Sequence, residues 1–488
     1  MAPRLRRDRM SAIDTAWLRM DRPHNLMMIC GVLLFDGHLQ FARLRKLVKS
    51  RFLVFPRFLQ RAVEQPGGAQ WTTDEAFDLD RHVVRAKLPG NAGREELEAL
   101  VSQLIATPLD PAHPMWQFHV VERCDGGSAL VARIHHSYAD GIALVRVMLS
   151  MTDASPDGPP AMPFTASGRR STPDEAASET LGLPVDALLR TLKGAGATLA
   201  QKGMSLLNDP ATALKLAGQG SALAIEIAKL ALMGQDSPTR FKGRPAVEKR
   251  VAWADPLPLD EVKAVGKALA ASVNDVLLSC VAGALRAYLD RKGDAVDGIT
   301  LRALVPVNLR PLEQAHRLGN HFGLVFLDLP IGIENPIERL YAVRENMRTL
   351  KGSYQPLLAM GLLAAMGSAP RTLQEALLVV LARNATAVMT NVPGPQQPLY
   401  MAGRRIRGLM FWVPQSGDIG MGVSILSYDG AVQFGLVTDR TLCPDPEAVI
   451  AHFAPEFEKL VLTTLMSPWP RDGDLDPAIA EEVVRIAA

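Results

Sequence analysis

The chain reads as a mixed α/β (α+β) protein, and three observations carry that reading. Apolar runs of strand length recur along it, at residues 26–35, 129–134, 301–307, 322–329, 423–428 and 432–437. Segments with helical spacing lie among them, at 41–52, 94–105, 142–148 and 276–289. The two kinds of segment are mixed throughout rather than gathered at opposite ends, as in a layered α/β chain.

Each element has a local reason. The run at 26–35 ends at the turn pair Asp36-Gly37, and the helical segments at 41–52 and 94–105 follow it. Residues 129–134 read as a buried strand that feeds His135-His136-Ser137-Tyr138-Ala139-Asp140-Gly141, and a mostly apolar helix comes next. Composition then shifts, because residues 153–173 carry Pro156, Pro159, Pro160, Pro163 and Pro173 and so form a linker or surface loop. Helical stretches at 185–207 and 211–233 are separated by Asn208-Asp209-Pro210. The second becomes apolar nearly all round, which favours burial between domains over a place on lipid. Ser272-Val273-Asn274-Asp275 precedes the helix at 276–289, and Asp429-Gly430 is a hairpin dipeptide between the last two strands.

At 488 residues the chain exceeds one ordinary core, so two domains are expected. The composition places them at 1–152 and 246–488, with the Pro-rich loop and helical linker at 153–245. Charge is nearly balanced, 53 basic residues against 51 acidic, which argues against nucleic acid as a partner. Arg4, Arg6, Arg7 and Arg9 form a basic cluster, expected to be a solvated arm or a contact for anionic lipid headgroups. Cys30, Cys124, Cys280 and Cys443 stand far apart, the pattern of reduced core thiols in a cytoplasmic protein. The basic start leads into no continuous apolar stretch, and the runs at 26–35 and 223–233 are too short to span a bilayer.

The histidine pair is the chemical centre of the sequence. Adjacent histidines on an extended strand point to opposite faces, so they do not converge on one ion, and no metal-ligand spacing accompanies them. One ring is expected to face a cavity while the other packs. A histidine at a strand-to-helix junction, with Asp140 one turn on, suits general-base chemistry on a hydroxyl or amine. The bland alternative is a pair of core histidines beside a helix-capping aspartate.

Several separated motifs point the same way. They are residues 11–14, the His24-Asn25-Leu26-Met27 approach to the first strand, Pro114-Met115-Trp116, the box at 135–141, and Asn274-Asp275. Later come Pro306-Val307-Asn308-Leu309-Arg310, Leu318-Gly319-Asn320, Asn391-Val392-Pro393-Gly394-Pro395 and Ser427-Tyr428-Asp429-Gly430. In these residues the chain resembles the bacterial wax ester synthase/acyl-CoA:diacylglycerol acyltransferase family over nearly its whole length. It departs at Met115, where the family usually has leucine, and at Tyr138, bulkier than the usual aliphatic residue, which bears on the alcohol-side pocket.

The resemblance implies two chloramphenicol-acetyltransferase-like domains joined by a helical linker, with the active site in a tunnel between them. It implies long-chain acyl-CoA as co-substrate, no cofactor, and a fatty alcohol or diacylglycerol as acceptor. It also implies His136 as the essential base, with His135 facing the other way to support the loop. Asp140 is expected to hold the loop by pairing with an arginine, and Gly141 to allow close backbone approach. Asn274 is the candidate oxyanion donor. The competing account has Asn274 and Asp275 capping the helix from Val276. Trp116 is expected to pack behind the site, Asn391 to Pro395 to form a rigid turn, and residues 357–366 to line the acyl channel or form a plain buried helix. Peripheral contact with the inner membrane or lipid inclusions fits the greasy composition and an insoluble product. Two rival readings stay open at this point, a condensation-type enzyme using carrier-protein thioesters and a non-catalytic lipid-binding protein.

Overall fold

The computed structural model describes residues 7–158, 233–309, 319–351, 355–356, 359–360 and 384–466. The first half contains β1 (Arg7–Arg9), α1 (Ala12–Arg19), β2 (Met28–Phe35), α2 (Phe41–Leu47), β3 (Gln60–Gln65), β4 (Gly68–Thr73), α3 (Leu79–His82) and β5 (Val83–Ala86). It continues through α4 (Arg94–Ile105), β6 (Trp116–Cys124), β7 (Gly127–His135) and α5 (Gly141–Ser150). The second half holds β8 (Lys249–Trp253), β9 (Leu257–Pro258), α6 (Leu259–Ala268), α7 (Val273–Arg291), β10 (Leu301–Asn308), β11 (Phe322–Leu329) and α8 (Pro336–Lys351). Then come β12 (Ala387–Pro393), β13 (Tyr400–Met401), β14 (Arg404–Trp412), β15 (Met421–Tyr428), β16 (Ala431–Asp439), α9 (Pro446–Ile450) and α10 (Phe453–Met466).

These strands form three sheets. β1, β4 and β3 make a small antiparallel one. A six-stranded sheet runs β13-β14-β2-β7-β6-β5, and the third runs β11-β10-β12-β15-β16-β8 with β9 also on β16. The expected division of the chain at residues 152 and 246 therefore does not divide the sheets. β14, from the second half, lies antiparallel to β2, with Trp412 opposite Cys30 and Leu409 opposite Leu33.

The core of the second half surrounds α7. Ser272 Oγ accepts from Asp275 N while Asp275 Oδ2 accepts from Ser272 N, a reciprocal cap that starts the helix at Val273. Val276, Leu277, Cys280, Val281, Ala284, Leu285 and Leu289 are all buried, so the helix is apolar on several faces because several elements cover it. α6 and α7 together have the length and composition of a bent span, but both belong to this core, and among the described residues no single helix is long and apolar enough to cross a membrane.

The sequence reading needs correction at several points. Arg7 and Arg9 are not part of a free arm, because β1 pairs residue for residue with β4, while Arg4 and Arg6 lie outside the described residues. Asn391 to Pro393 end strand β12 beside β15 instead of forming a turn. The stretches at 185–207 and 211–233 lie outside the described residues but for Met233, and so does the stretch at 357–366 but for Ala359 and Met360. The hairpin is as expected: Asp429 (φ 49°) and Gly430 (φ 76°) both take the left-handed region that a tight two-residue turn demands. All four cysteines are buried and free.

Candidate active site

The histidine box leaves the middle of the six-stranded sheet. His135 is the last residue of β7, opposite Met28 of β2, and its N–H donates to Met115 O at 2.9 Å. His136 N–H donates to Met27 O at 2.7 Å, so the backbone stays anchored for one residue past the strand. Asp140 then turns the chain into α5, its Oδ1 accepting from Ala143 N at 2.8 Å as an N-cap.

The two rings have different surroundings. The His136 imidazole stacks on the Trp17 indole, with centroids 4.2 Å apart and planes 19° apart, and Phe322 stands 5.6 Å away on a tilted plane. Its Nδ1 is buried, with no hydrogen-bond partner among the described residues. His135 Nδ1 takes the N–H of Ser137 at 3.2 Å, which makes that nitrogen an acceptor and leaves the ring proton on Nε2, 4.0 Å from Asp21 Oδ1. The Ser137 hydroxyl lies 2.8 Å from the same Nδ1.

Both histidines are only 3% exposed, so neither lies open at the surface. The physical reason is aromatic cover, since Trp17 and Phe322 lie over His136. Burial pushes the pKa of each histidine down to about 3, and for His136 the nearby Asn320 side chain offsets part of that. Both imidazoles are therefore neutral at neutral pH, and a neutral ring can accept a proton.

The second half of the chain closes over this loop with one short segment. Asn320 Nδ2 donates to His136 O at 2.8 Å and to Asp14 Oδ1 at 2.9 Å. His321 N donates to Asp140 Oδ2 at 3.0 Å, and Asp140 N donates to Gly319 O at 3.4 Å. Asp140 thus joins the two halves through its carboxylate as well as capping α5. A Cβ at Gly141 would meet no described atom within 4 Å, so no described part of the chain packs closely there.

The matching domain descriptions identify the chain. The wax ester synthase/diacylglycerol acyltransferase catalytic domain matches residues 10–277, and the C-terminal domain of the same family matches residues 318–461. The chain belongs to that family. A Mycobacterium tuberculosis protein bearing a diacylglycerol O-acyltransferase name is 30% identical over 428 residues, covering 84% of this chain and 81% of that one. A second one from that organism is 29% identical over 402 residues, covering 80% of this chain and 81% of its own.

Among solved structures, the wax ester synthase/diacylglycerol acyltransferase of Marinobacter aquaeolei VT8 superposes with a TM-score of 0.67 at 22% identity, over 94% of this chain and 100% of that one. The starter condensation domain of rhizomide synthetase superposes with a TM-score of 0.55 at 15% identity, over 96% and 98% of the two chains. At such identities these likenesses concern the fold: the two-domain, mixed α/β architecture. Family membership makes this chain an acyltransferase enzyme and sets the carrier-protein condensation reading aside.

Among the described residues, the remaining expected site residues share no hydrogen bond or ring contact with His136. Trp116 is buried in an aromatic cluster, stacked on His82 with centroids 4.4 Å apart, and its Nε1 donates to Phe58 O at 2.8 Å. Tyr138 is buried in the same region, and its hydroxyl donates to Gln60 O at 2.7 Å and accepts from Met115 N at 2.9 Å. Asn274 is exposed at the second position of α7, and its Oδ1 accepts from Asn391 Nδ2 at 2.7 Å. Asp275 belongs to the helix cap with Ser272, so the Asn-Asp pair divides into one capping residue and one free to act elsewhere.

Sequence reasoning gave no role to Trp17, Asp14, Asn320, His321 or Phe322. A signal existed, because residues 11–14 and 318–320 were among the motifs of the resemblance. Nothing in their local pattern could show that they meet at His136.

Proposed function

We propose that the chain transfers a long-chain acyl group from acyl-CoA to a fatty alcohol or diacylglycerol, giving wax ester or triacylglycerol, with His136 as general base. The observation that supports this most is the placement of the His136 imidazole just past the end of β7, stacked on Trp17 and fixed at its backbone on both sides. In the step envisaged, the ring takes the proton of the acceptor hydroxyl as that oxygen bonds to the thioester carbonyl carbon. The tetrahedral intermediate collapses with cleavage of the carbon–sulfur bond, and the imidazolium protonates the departing coenzyme A thiolate. No cofactor enters this balance, and acyl-CoA is a co-substrate.

Asn274 stands as the candidate donor to the intermediate's oxyanion. Its Oδ1 accepts from Asn391 Nδ2 at 2.7 Å, so the role asked of it here falls to its own Nδ2 hydrogens. Asp140 and His135 support the loop that carries the base, and Trp116 packs at a distance.

For location, we propose a cytoplasmic protein in peripheral contact with anionic membrane or lipid inclusions. Residues 37–63 carry seven Lys or Arg and no Asp or Glu, with Lys46 and Lys49 exposed and Val54 61% exposed close by in sequence. Co-sedimentation with anionic but not zwitterionic vesicles is expected, and equal recovery with both kinds would refute it.

The reaction is tested with purified protein, palmitoyl-CoA and hexadecanol or diacylglycerol, following released thiol and lipid product. His136→Ala is expected to lower turnover at least about a thousandfold while the protein still folds, as a cooperative thermal transition would show. Turnover near that of the parent protein would remove His136 from the base role.

A further inference from the structure

We propose that Asp14 and Asn320 form a positioning couple for His136, holding the base by its backbone. The inference rests on the reading of His136 as the base, and it adds two residues on separate segments of the chain.

The argument begins where β7 stops. The ladder between β2 and β7 ends at Met28 opposite His135, so the His136 carbonyl has no strand partner. Asn320 fills that gap, with Nδ2 at 2.8 Å from His136 O. The orientation of the amide is itself fixed. Asn320 Nδ2 and Asn320 N lie 2.9 Å and 3.1 Å from the same oxygen, Asp14 Oδ1. Asp14 is held in turn by the cap of α1, where its N–H donates to Ser11 Oγ at 3.0 Å. The same helix carries Trp17, on which the His136 ring stacks.

Energetics favour a positional purpose over a merely cohesive one. Asp14 and Asn320 are 4% and 7% exposed, and burial pushes the Asp14 carboxyl above its ordinary pKa. An apolar pair of similar volume would join the two segments at lower cost. It could not supply an oriented donor to the His136 carbonyl. Without that donor the peptide after His136 is held only at the Ser137 N–H, by His135 Nδ1, and the imidazole can shift with it against the indole. Misplacement of about 1 Å at a reacting group is worth about a hundredfold in rate.

The experiment compares kcat, KM and melting temperature for four variants with palmitoyl-CoA and hexadecanol. Asn320→Ala is expected to lower kcat about ten- to a hundredfold with KM changed less than about threefold. Asp14→Ala should do the same, whereas Asp14→Asn keeps an acceptor oxygen for the Asn320 donors and should retain most of kcat. The exchange Asp14→Asn with Asn320→Asp restores an amide-to-carboxylate bond between the two positions but leaves the His136 carbonyl without a donor. Its melting temperature should recover while its kcat stays low. The proposal is overturned if kcat of Asn320→Ala is within about twofold of the parent, or if the exchange restores kcat together with stability. Where Asn320→Ala does not fold, equal kcat values for Asp14→Ala and Asp14→Asn overturn it instead. Retained turnover in His136→Ala would strike the base assignment itself, a separate outcome from any of these.

Discussion

The Trp17 indole covers one face of the His136 imidazole, ring on ring, with centroids 4.2 Å apart. Stacking of this kind fixes the plane of the imidazole, and the plane decides where a substrate hydroxyl must sit to give up its proton. Trp17→Phe keeps an aromatic face and is expected to retain kcat within about fivefold. Trp17→Ala should lose about 3 kcal/mol of stability and at least about tenfold in kcat. Denaturant unfolding and initial rates on the two variants check this, and equal kcat values would separate the indole from catalysis.

The two histidines also predict how the protein responds to acid. Each has a folded pKa of about 3 against an ordinary value of 6.5. Below 6.5 the unfolded chain therefore binds protons that the folded chain refuses. Stability is fully present above that pH and is lost as pH falls toward 3, by up to about 1.4 kcal/mol per pH unit for each ring. Urea unfolding between pH 7 and pH 4 should show this slope, and His135→Gln should flatten it. A kcat profile with no acid limb near 6.5 is expected for the same reason.

Asp140 does two jobs with two oxygens. Asp140→Ala removes the cap of α5, worth about 1 kcal/mol, and leaves the His321 N–H without that acceptor, worth about 1–3 kcal/mol more. Asp140→Asn keeps one acceptor oxygen and should fall between the alanine variant and the parent. Melting temperatures in that order, with turnover following, would bear out the double role.

The beginning of α7 separates capping from chemistry. Ser272→Ala should cost about 1 kcal/mol through the lost cap and leave kcat unchanged. Asn274→Ala should do the reverse, lowering kcat with the melting temperature intact, because its side chain is exposed and bonds only sideways to Asn391. A loss of stability without a loss of rate in Asn274→Ala would end its candidacy as oxyanion donor.

How much was legible in the sequence follows from the range of the interactions. The helix Arg94–Ile105 and the strand Phe322–Leu329 have the bounds that periodicity alone expects, because burial of one face writes a repeat into neighbouring residues. α7 begins three residues before the Val276 that periodicity suggests, because Ser272 is the cap and Val273, Asn274 and Asp275 already form its first turn. β14 went unread because Arg404, Arg405 and Arg407 break its apolar pattern. At the site, His136 stood out because its motif is local. Its neighbours did not, since Asn320 lies 184 residues from His136 and 306 from Asp14 along the chain. No window on the sequence brings such residues together.

The exchange of β14 has a practical consequence. A fragment ending before residue 246 would leave β2 with a bare row of peptide donors and acceptors where Leu409 to Trp412 now pair. Such an edge recruits other chains, so this fragment should precipitate when expressed alone. The same strand ties the halves together, and a split enzyme is expected to regain activity only when both pieces are synthesised together.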